Sequence, residues 1–324
     1  MGVGAVSISP AQVLAILIGQ FGLDVGIDHG DRQETVLTAI RIPRVLATAL
    51  IGAAWASAGV AMQGLYRTPL ADPALVGIGG GAALGAALGT AAAVSLGIVA
   101  GYGGTVLIVV AAFMAALVAA WIVYRVASSS GRVVVATMLL AGIALTAFFG
   151  AATALIVAAG RTPELGTVQF WTLGSFAGVV KRDVVVAAIV VVPAVVVLAR
   201  LGPRLDALAL GETEAGHLGV DVPWLTRVIS VIFALLTAVA VATAGVIAFV
   251  ALMVPSLVRV WVGQSHRGVV IGAALLGATA LVIADVLARS LFSPIELSIG
   301  VITTILGAPF FLWLLLRDRG LLAR

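Results

Sequence analysis

The sequence predicts an all-α membrane protein of about ten transmembrane helices, a single domain over residues 1–324, and three observations carry that expectation. Mean hydropathy is +1.23, with 62% of residues hydrophobic and 10% charged, where a soluble domain has roughly a quarter of its residues charged. The apolar residues come in continuous runs near the roughly 20 needed to cross a hydrocarbon core of about 30 Å as helix. Those runs do not alternate in polarity as barrel strands do, and open strands would leave backbone groups unpaired in lipid. Cysteine is absent, which removes disulfides, thiolate metal sites and cysteine nucleophiles together. A net charge of +4 spread over loops implies no nucleic-acid partner. Lys181 is the single lysine and Val180 precedes it, so no GxxxxGK[ST] phosphate loop can exist and any ATP must be bound by another subunit.

Charge-free runs place the elements in order. A first span lies within residues 1–23, retained rather than cleaved, because the basic flank and small-residue site of a signal peptide are missing. After a polar loop at 24–34, Arg41, Pro43 and Arg44 stand at the mouth of a second span over 45–66. Residues 73–124 are charge-free for long enough to cross twice, with a break near Gly101, Gly103 and Gly104. A fifth span occupies 133–160. Residues 161–176, with Pro163 and WTLGS, read as a short surface helix, and a sixth span runs from Lys181 to Arg200. Between Arg227 and Arg259 the chain is longer than one crossing and shorter than two. Parity resolves this, because the basic tail and the basic flanks of 200–227 belong on the cytoplasmic side. The segment therefore goes out and returns, turning near Thr243 to Gly245, and two more spans follow at 268–288 and 297–316. By this topology eleven arginines lie inside, with six arginines and the lysine outside. The glycine-rich GIGGGAALG is a helix-packing pattern and not a nucleotide loop.

Residues 200–227, RLGPRLDALALGETEAGHLGVDVPWLTR, form the longest polar interruption in the chain. Leu205, Leu208 and Leu210, then Leu218 and Val220, keep helical spacing, while Gly211, Gly216 and Gly219 punctuate. The stretch predicts two short helices joined by a tight turn at the membrane surface, offering Glu212 and Glu214 to a partner. The competing reading is a connector whose long side chains snorkel to headgroups. His29, His217 and His266 fall on different sides and are read as solvated, not as a ligand cluster. Gln63 and Met62 are read as core packing. Asp285, one helical turn before Arg289, pairs with it, since an acid at membrane depth is costly alone.

Several tracts, in order, carry a resemblance: RIPRVLATALIGAAWASAGVAMQGLYRTPLADPALVGIGGGAALG from Arg41, LALGETEAGHLGVDV, GVIAFVALMVPSLVR, and ADVLARSLFSPIELSIGVITTILGAPFFLWLLLR. From Arg41 onward the chain resembles the FecCD-type permeases, membrane subunits of type II ABC importers for iron-siderophores, heme and cobalamin. The resemblance implies a homodimer of ten-span subunits in the bacterial inner membrane, with the path at the dimer axis. Two ATPase subunits, which would bind ATP and magnesium, lie below and a periplasmic substrate-binding protein above. The chain itself is then not an enzyme and carries no cofactor or metal. Residues 200–227 would be the coupling helices, with Leu210, Gly211, Glu212, Glu214, Ala215, Leu218 and Gly219 in contact with the ATPase. Arg41, Arg44 and Arg289 would be sockets for acidic knobs on the binding protein, a task suited to a permanently charged, bidentate guanidinium. Their competing reading is as interfacial anchors. The chain departs from the family pattern at Thr68, where Asn is usual, and at Ser256, where His is usual; both are read as packing or turn positions. The tracts at 169–177 and 210–225 are most similar to heme permeases, so heme is the expected cargo, with an iron-siderophore or cobalamin as alternatives. A reading from another class, an ion-coupled secondary transporter, would rest on Asp285 alone. An intramembrane enzyme would lack its residues: no HExxH, no GxSxG and no paired mid-membrane aspartates.

Overall fold

The computed structural model describes residues 9–19, 30–74, 76–129, 132–133, 135–160, 168–291 and 296–317. In chain order the elements are α1 (Pro10–Gly19), α2 (Asp31–Thr35), a π-helical turn (Val36–Arg41), α3 (Ile42–Tyr66), α4 (Ile78–Ser95), α5 (Tyr102–Ala127), the two-residue strands β1 (Ser128–Ser129) and β2 (Arg132–Val133), then α6 (Val135–Gly160) and α7 (Val168–Leu173). They continue with α8 (Lys181–Ala209), α9 (Glu212–His217), α10 (Val222–Ala244), α11 (Val250–Val262), α12 (His266–Ser290) and α13 (Ile299–Arg317). Seven helical stretches are long and apolar enough to cross a membrane: Arg32–Tyr66, α4, α5, Thr137–Gly160 of α6, α8, α10 and α12. With the shorter apolar helices α1, α11 and α13 they make ten among the described residues.

α3 is the axis of the bundle. It is buried all round from Ala54 to Gly64, and it can be so enclosed because its contact positions are small. A Cβ at Gly52 would overlap the Gly277 carbonyl of α12, and one at Gly59 would overlap the Ala251 backbone of α11. Gly81, Gly85 and Gly89, four residues apart, lie in the same way against Ala119, Ala111 and Ile108 of α5. Lipid offers no hydrophobic drive between helices, so close backbone approach over small residues supplies the dispersion contacts that hold them.

The helix entering α3 widens into its π turn just before Pro43. A proline there has no N–H to give the carbonyl four residues back, and its ring crowds that carbonyl. The extra residue per turn relieves the crowding, and the Ile42 N–H bonds Leu37 O, five residues back.

Two sequence expectations are corrected. α8 does not end near Arg200 but continues through Pro203 to Ala209, so the first of the two short helices expected in the polar stretch is the end of a long one. Leu198, Leu201, Leu205 and Leu208 fall on one stripe and are all buried. Each is worth about 1.5–3 kcal/mol, which outweighs the roughly 3 kcal/mol cost of an interior proline. A helix of 29 residues is about 43 Å long against a core of about 30 Å, so its last turns project from the bilayer. The second correction concerns 161–176, of which 161–167 lie outside the described residues. α7 is not a surface helix: Trp171 and Phe176 are buried, Trp171 O accepts the Val246 N–H at 3.1 Å, and the Ser175 N–H donates to Ala244 O at 2.8 Å. α7 thus plugs the turn between α10 and α11, which falls at Gly245 to Phe249 as the out-and-return reading requires.

Candidate functional site

At the end of α8 the chain makes an elbow whose geometry its residues enforce. Gly211 adopts φ 129°, ψ 157°, a region open in practice only to glycine. α9 then closes with the Val220 N–H on Ala215 O and the Gly219 N–H on Gly216 O, both at 3.0 Å, around a left-handed Gly219 at φ 80°. This is a Schellman ending, which satisfies the last helical carbonyls. One residue later the Asp221 carboxylate accepts the Trp224 N–H at 3.0 Å and caps α10, with Pro223 in its first turn. The Arg204 guanidinium stacks over the Trp224 ring at 5.1 Å, bridging the arms of the elbow. Ala215 is buried, while Leu210 and Leu218 are 68% and 64% exposed. The elbow is therefore a fixed knuckle presenting two leucines outward.

Its acids are less free than the sequence suggested. Glu212 accepts from Arg67 Nη2 at 3.1 Å, in a half-exposed ion pair, and the Glu214 carboxylate folds against the Gly211 backbone. Arg67 is the left-handed residue (φ 53°) that ends α3, so the pair joins the elbow to the axial helix. Further ties run alongside. Arg259 Nη1 of α11 donates to Gln63 Oε1 of α3 at 2.5 Å, and Gln63 Nε2 donates to Ala251 O at 3.4 Å. Asp206 of α8 accepts the His266 N–H at 2.8 Å and sits 2.6 Å from its Nδ1. A cavity of about 470 Å³ lies among Gln63, Arg67, Thr68, Ser256, Arg259 and His266. His266 is thus a buried clamp between α8 and α12 and not solvated, while His29 lies outside the described residues. Met62 is core as expected, whereas Gln63 is a polar strap. Thr68 and Ser256 take local roles, Thr68 Oγ1 accepting the Leu70 N–H and Ser256 Oγ donating to Leu252 O.

At the opposite end of α3 and α12, the three arginines singled out from the sequence come together. Arg44 donates to Asp285 Oδ1 from Nε at 3.1 Å and Nη2 at 2.9 Å, and from Nη1 to both oxygens of Glu296 at 3.3 and 3.0 Å. Arg289 Nε reaches the other Asp285 oxygen at 3.1 Å, and Arg41 lies within electrostatic reach of Arg289. Arg41, Arg44 and Asp285 are buried. Asp285 therefore serves two guanidinia, where the sequence paired it with Arg289 alone. Glu296 was not singled out, although it is the one acid between Arg289 and Arg317 and parity places it on this face.

A greasy ten-helix scaffold, with a rigid polar knuckle at one face and an arginine cluster at the other, defines a multi-pass membrane permease. The chain belongs to the FecCD transport family, whose model matches residues 1–317. It is 40% identical to the cobalamin import system permease protein BtuC of Halobacterium salinarum over 290 residues, 89% of this chain and 75% of that one. It is also 40% identical to the hemin transport system permease protein HmuU of Yersinia pestis over 281 residues, 86% of this chain and 83% of that one. A solved structure of a metal-chelate type ABC transporter in an inward-facing conformation superposes with a TM-score of 0.73 at 28% identity, covering 94% of this chain and 96% of that one. The chain is accordingly a permease of the type II ABC importer class, and that membership displaces the ion-coupled reading. Among the described residues no group of three or more His, Asp or Glu side chains is placed to hold a metal ion.

Proposed function

We propose that this chain forms a homodimeric permease in the bacterial inner membrane. It passes an iron-containing chelate, heme, from a periplasmic binding protein to the cytoplasm, driven by two ATPase subunits that bind ATP and magnesium. The observation that carries the coupling role is the elbow itself. Leu210, Gly211, Glu212, Glu214, Ala215, Leu218 and Gly219 form a locked knuckle on a helix projecting from the bilayer, tied through Arg67 to the most enclosed helix of the bundle. A knuckle so braced passes a push into α3 instead of absorbing it. Docking of the binding protein falls to Arg41, Arg44 and Arg289, and its support is their convergence at the far end of α3 and α12. Heme is supported by the likeness to the hemin permease, and the equal likeness to a cobalamin permease makes cobalamin the cargo to test beside it.

The test is reconstitution in liposomes with the ATPase and binding protein of the same importer. Heme accumulation that requires ATP and the binding protein, without matching cobalamin uptake, is the expected result. Cobalamin uptake without heme uptake overturns the cargo. Nucleotide-independent uptake down an ion gradient overturns the mechanism.

A further inference from the structure

Arg44 is held from within by two carboxylates of unlike character. Asp285 is 3% exposed and serves Arg289 as well, so its departure would take a buried counter-charge from two guanidinia at once. Glu296 stands at 47% side-chain exposure in the connection between α12 and α13, and among the described residues its side-chain hydrogen bonds go to Arg44 Nη1. Water can take its place at lower cost than at Asp285, since Glu296 is the exposed partner of its pair and Arg44 keeps the Asp285 carboxylate when it leaves.

We propose that Glu296 is a built-in competitor for Arg44: it covers the outer edge of the guanidinium in the undocked permease, and a carboxylate of the binding protein displaces it. This rests on the docking role given above to Arg44. The exchange follows from donor geometry. Asp285 takes Nε and Nη2, so an incoming carboxylate can pair bidentately only through the edge that includes Nη1, which Glu296 holds. Arg44 is only 9% exposed with Glu296 in place, and a second carboxylate beside it would meet like-charge repulsion. The partner is thus an acidic protein surface that must outcompete the permease's own acid. Glu296 sets both the strength and the salt dependence of docking.

The test measures binding-protein affinity for the permease–ATPase complex in nanodiscs, with thermal stability followed in parallel. Glu296→Gln keeps the shape and removes the charge; it is expected to lower Kd two- to fivefold and steepen its rise with salt. Arg44→Ala, with Arg44→Lys as the variant that keeps the charge and loses the fork, is expected to raise Kd. In the Arg44→Ala background Glu296→Gln should confer no gain. Weakening by Arg44→Ala together with an unchanged or raised Kd for Glu296→Gln overturns the competitor role and leaves docking at Arg44 standing. An unchanged Kd for both Arg44 variants overturns the docking role itself, and the competitor with it.

Discussion

Arg67 and Glu212 join the two ends of a lever. Their 3.1 Å ion pair fastens the elbow beyond α8 to the residue that terminates α3, although 145 positions separate them in the chain. As a stability element it is worth little, since exposed pairs contribute about 0.2–1 kcal/mol. Its consequence is geometric, because it sets where the knuckle rests against the end of α3.

Reversing both acids of the knuckle, Glu212→Lys with Glu214→Lys, should therefore uncouple the importer. Uptake in liposomes should fall tenfold or more while ATP hydrolysis by the complex persists. The exchange Arg67→Glu with Glu212→Arg should restore part of the uptake by remaking the pair in reverse. Transport that survives the double reversal unchanged removes the coupling role of these acids.

The two glycines of the elbow make a graded pair. Alanine at Gly211 must adopt φ 129° and also meet the Glu214 carboxylate, whereas at Gly219 (φ 80°) nothing lies within 4 Å of an added Cβ. Backbone strain of this kind costs roughly 1–3 kcal/mol, so Gly211→Ala should lie at the upper end and Gly219→Ala near 1 kcal/mol. Thermal unfolding of the purified permease ranks them, and the reverse order would contradict the geometry.

Much of this was legible in the sequence because bilayer length and glycine spacing are strong, local signals. The break between α4 and α5 and the punctuation by Gly211 and Gly219 follow from residue type, and the return near Gly245 follows from the parity of the basic loops. What escaped depended on partners distant in the chain. Nothing near His266 announces Asp206, and nothing near Gln63 announces Arg259. The extension of α8 past Arg200 was hidden by Pro203 and the surrounding charges, because local polarity outweighed a leucine stripe that tertiary packing rewards. Glu296 escaped because a lone acid in a short loop has no pattern of its own.

Helix crossings through glycine should be intolerant in proportion to backbone overlap. Gly59→Ala drives a Cβ into the Ala251 backbone, which cannot move without shifting α11, while Gly150→Ala meets nothing within 4 Å. Overpacking of this sort costs about 1–3 kcal/mol or more. Gly59→Ala should lower the melting temperature in detergent and Gly150→Ala should leave it within error; equal behaviour would argue that α3 and α11 are not in backbone contact.

Asp285 carries more structural weight than either arginine it serves. Removing one partner of a buried charge pair typically costs 3–5 kcal/mol, because the charge left behind is uncompensated. Asp285→Ala takes a carboxylate from Arg289 and from Arg44 at once, whereas Arg44→Ala leaves Asp285 still paired with Arg289 at 3.1 Å. Asp285→Ala should consequently be the more destabilising of the two, and Asp285→Asn intermediate, since the amide keeps an acceptor oxygen for one guanidinium but loses the charge. Unfolding of all three in the same detergent decides the order. An Arg44→Ala protein less stable than Asp285→Ala would mean that Arg44, and not the shared carboxylate, is the keystone of the cluster.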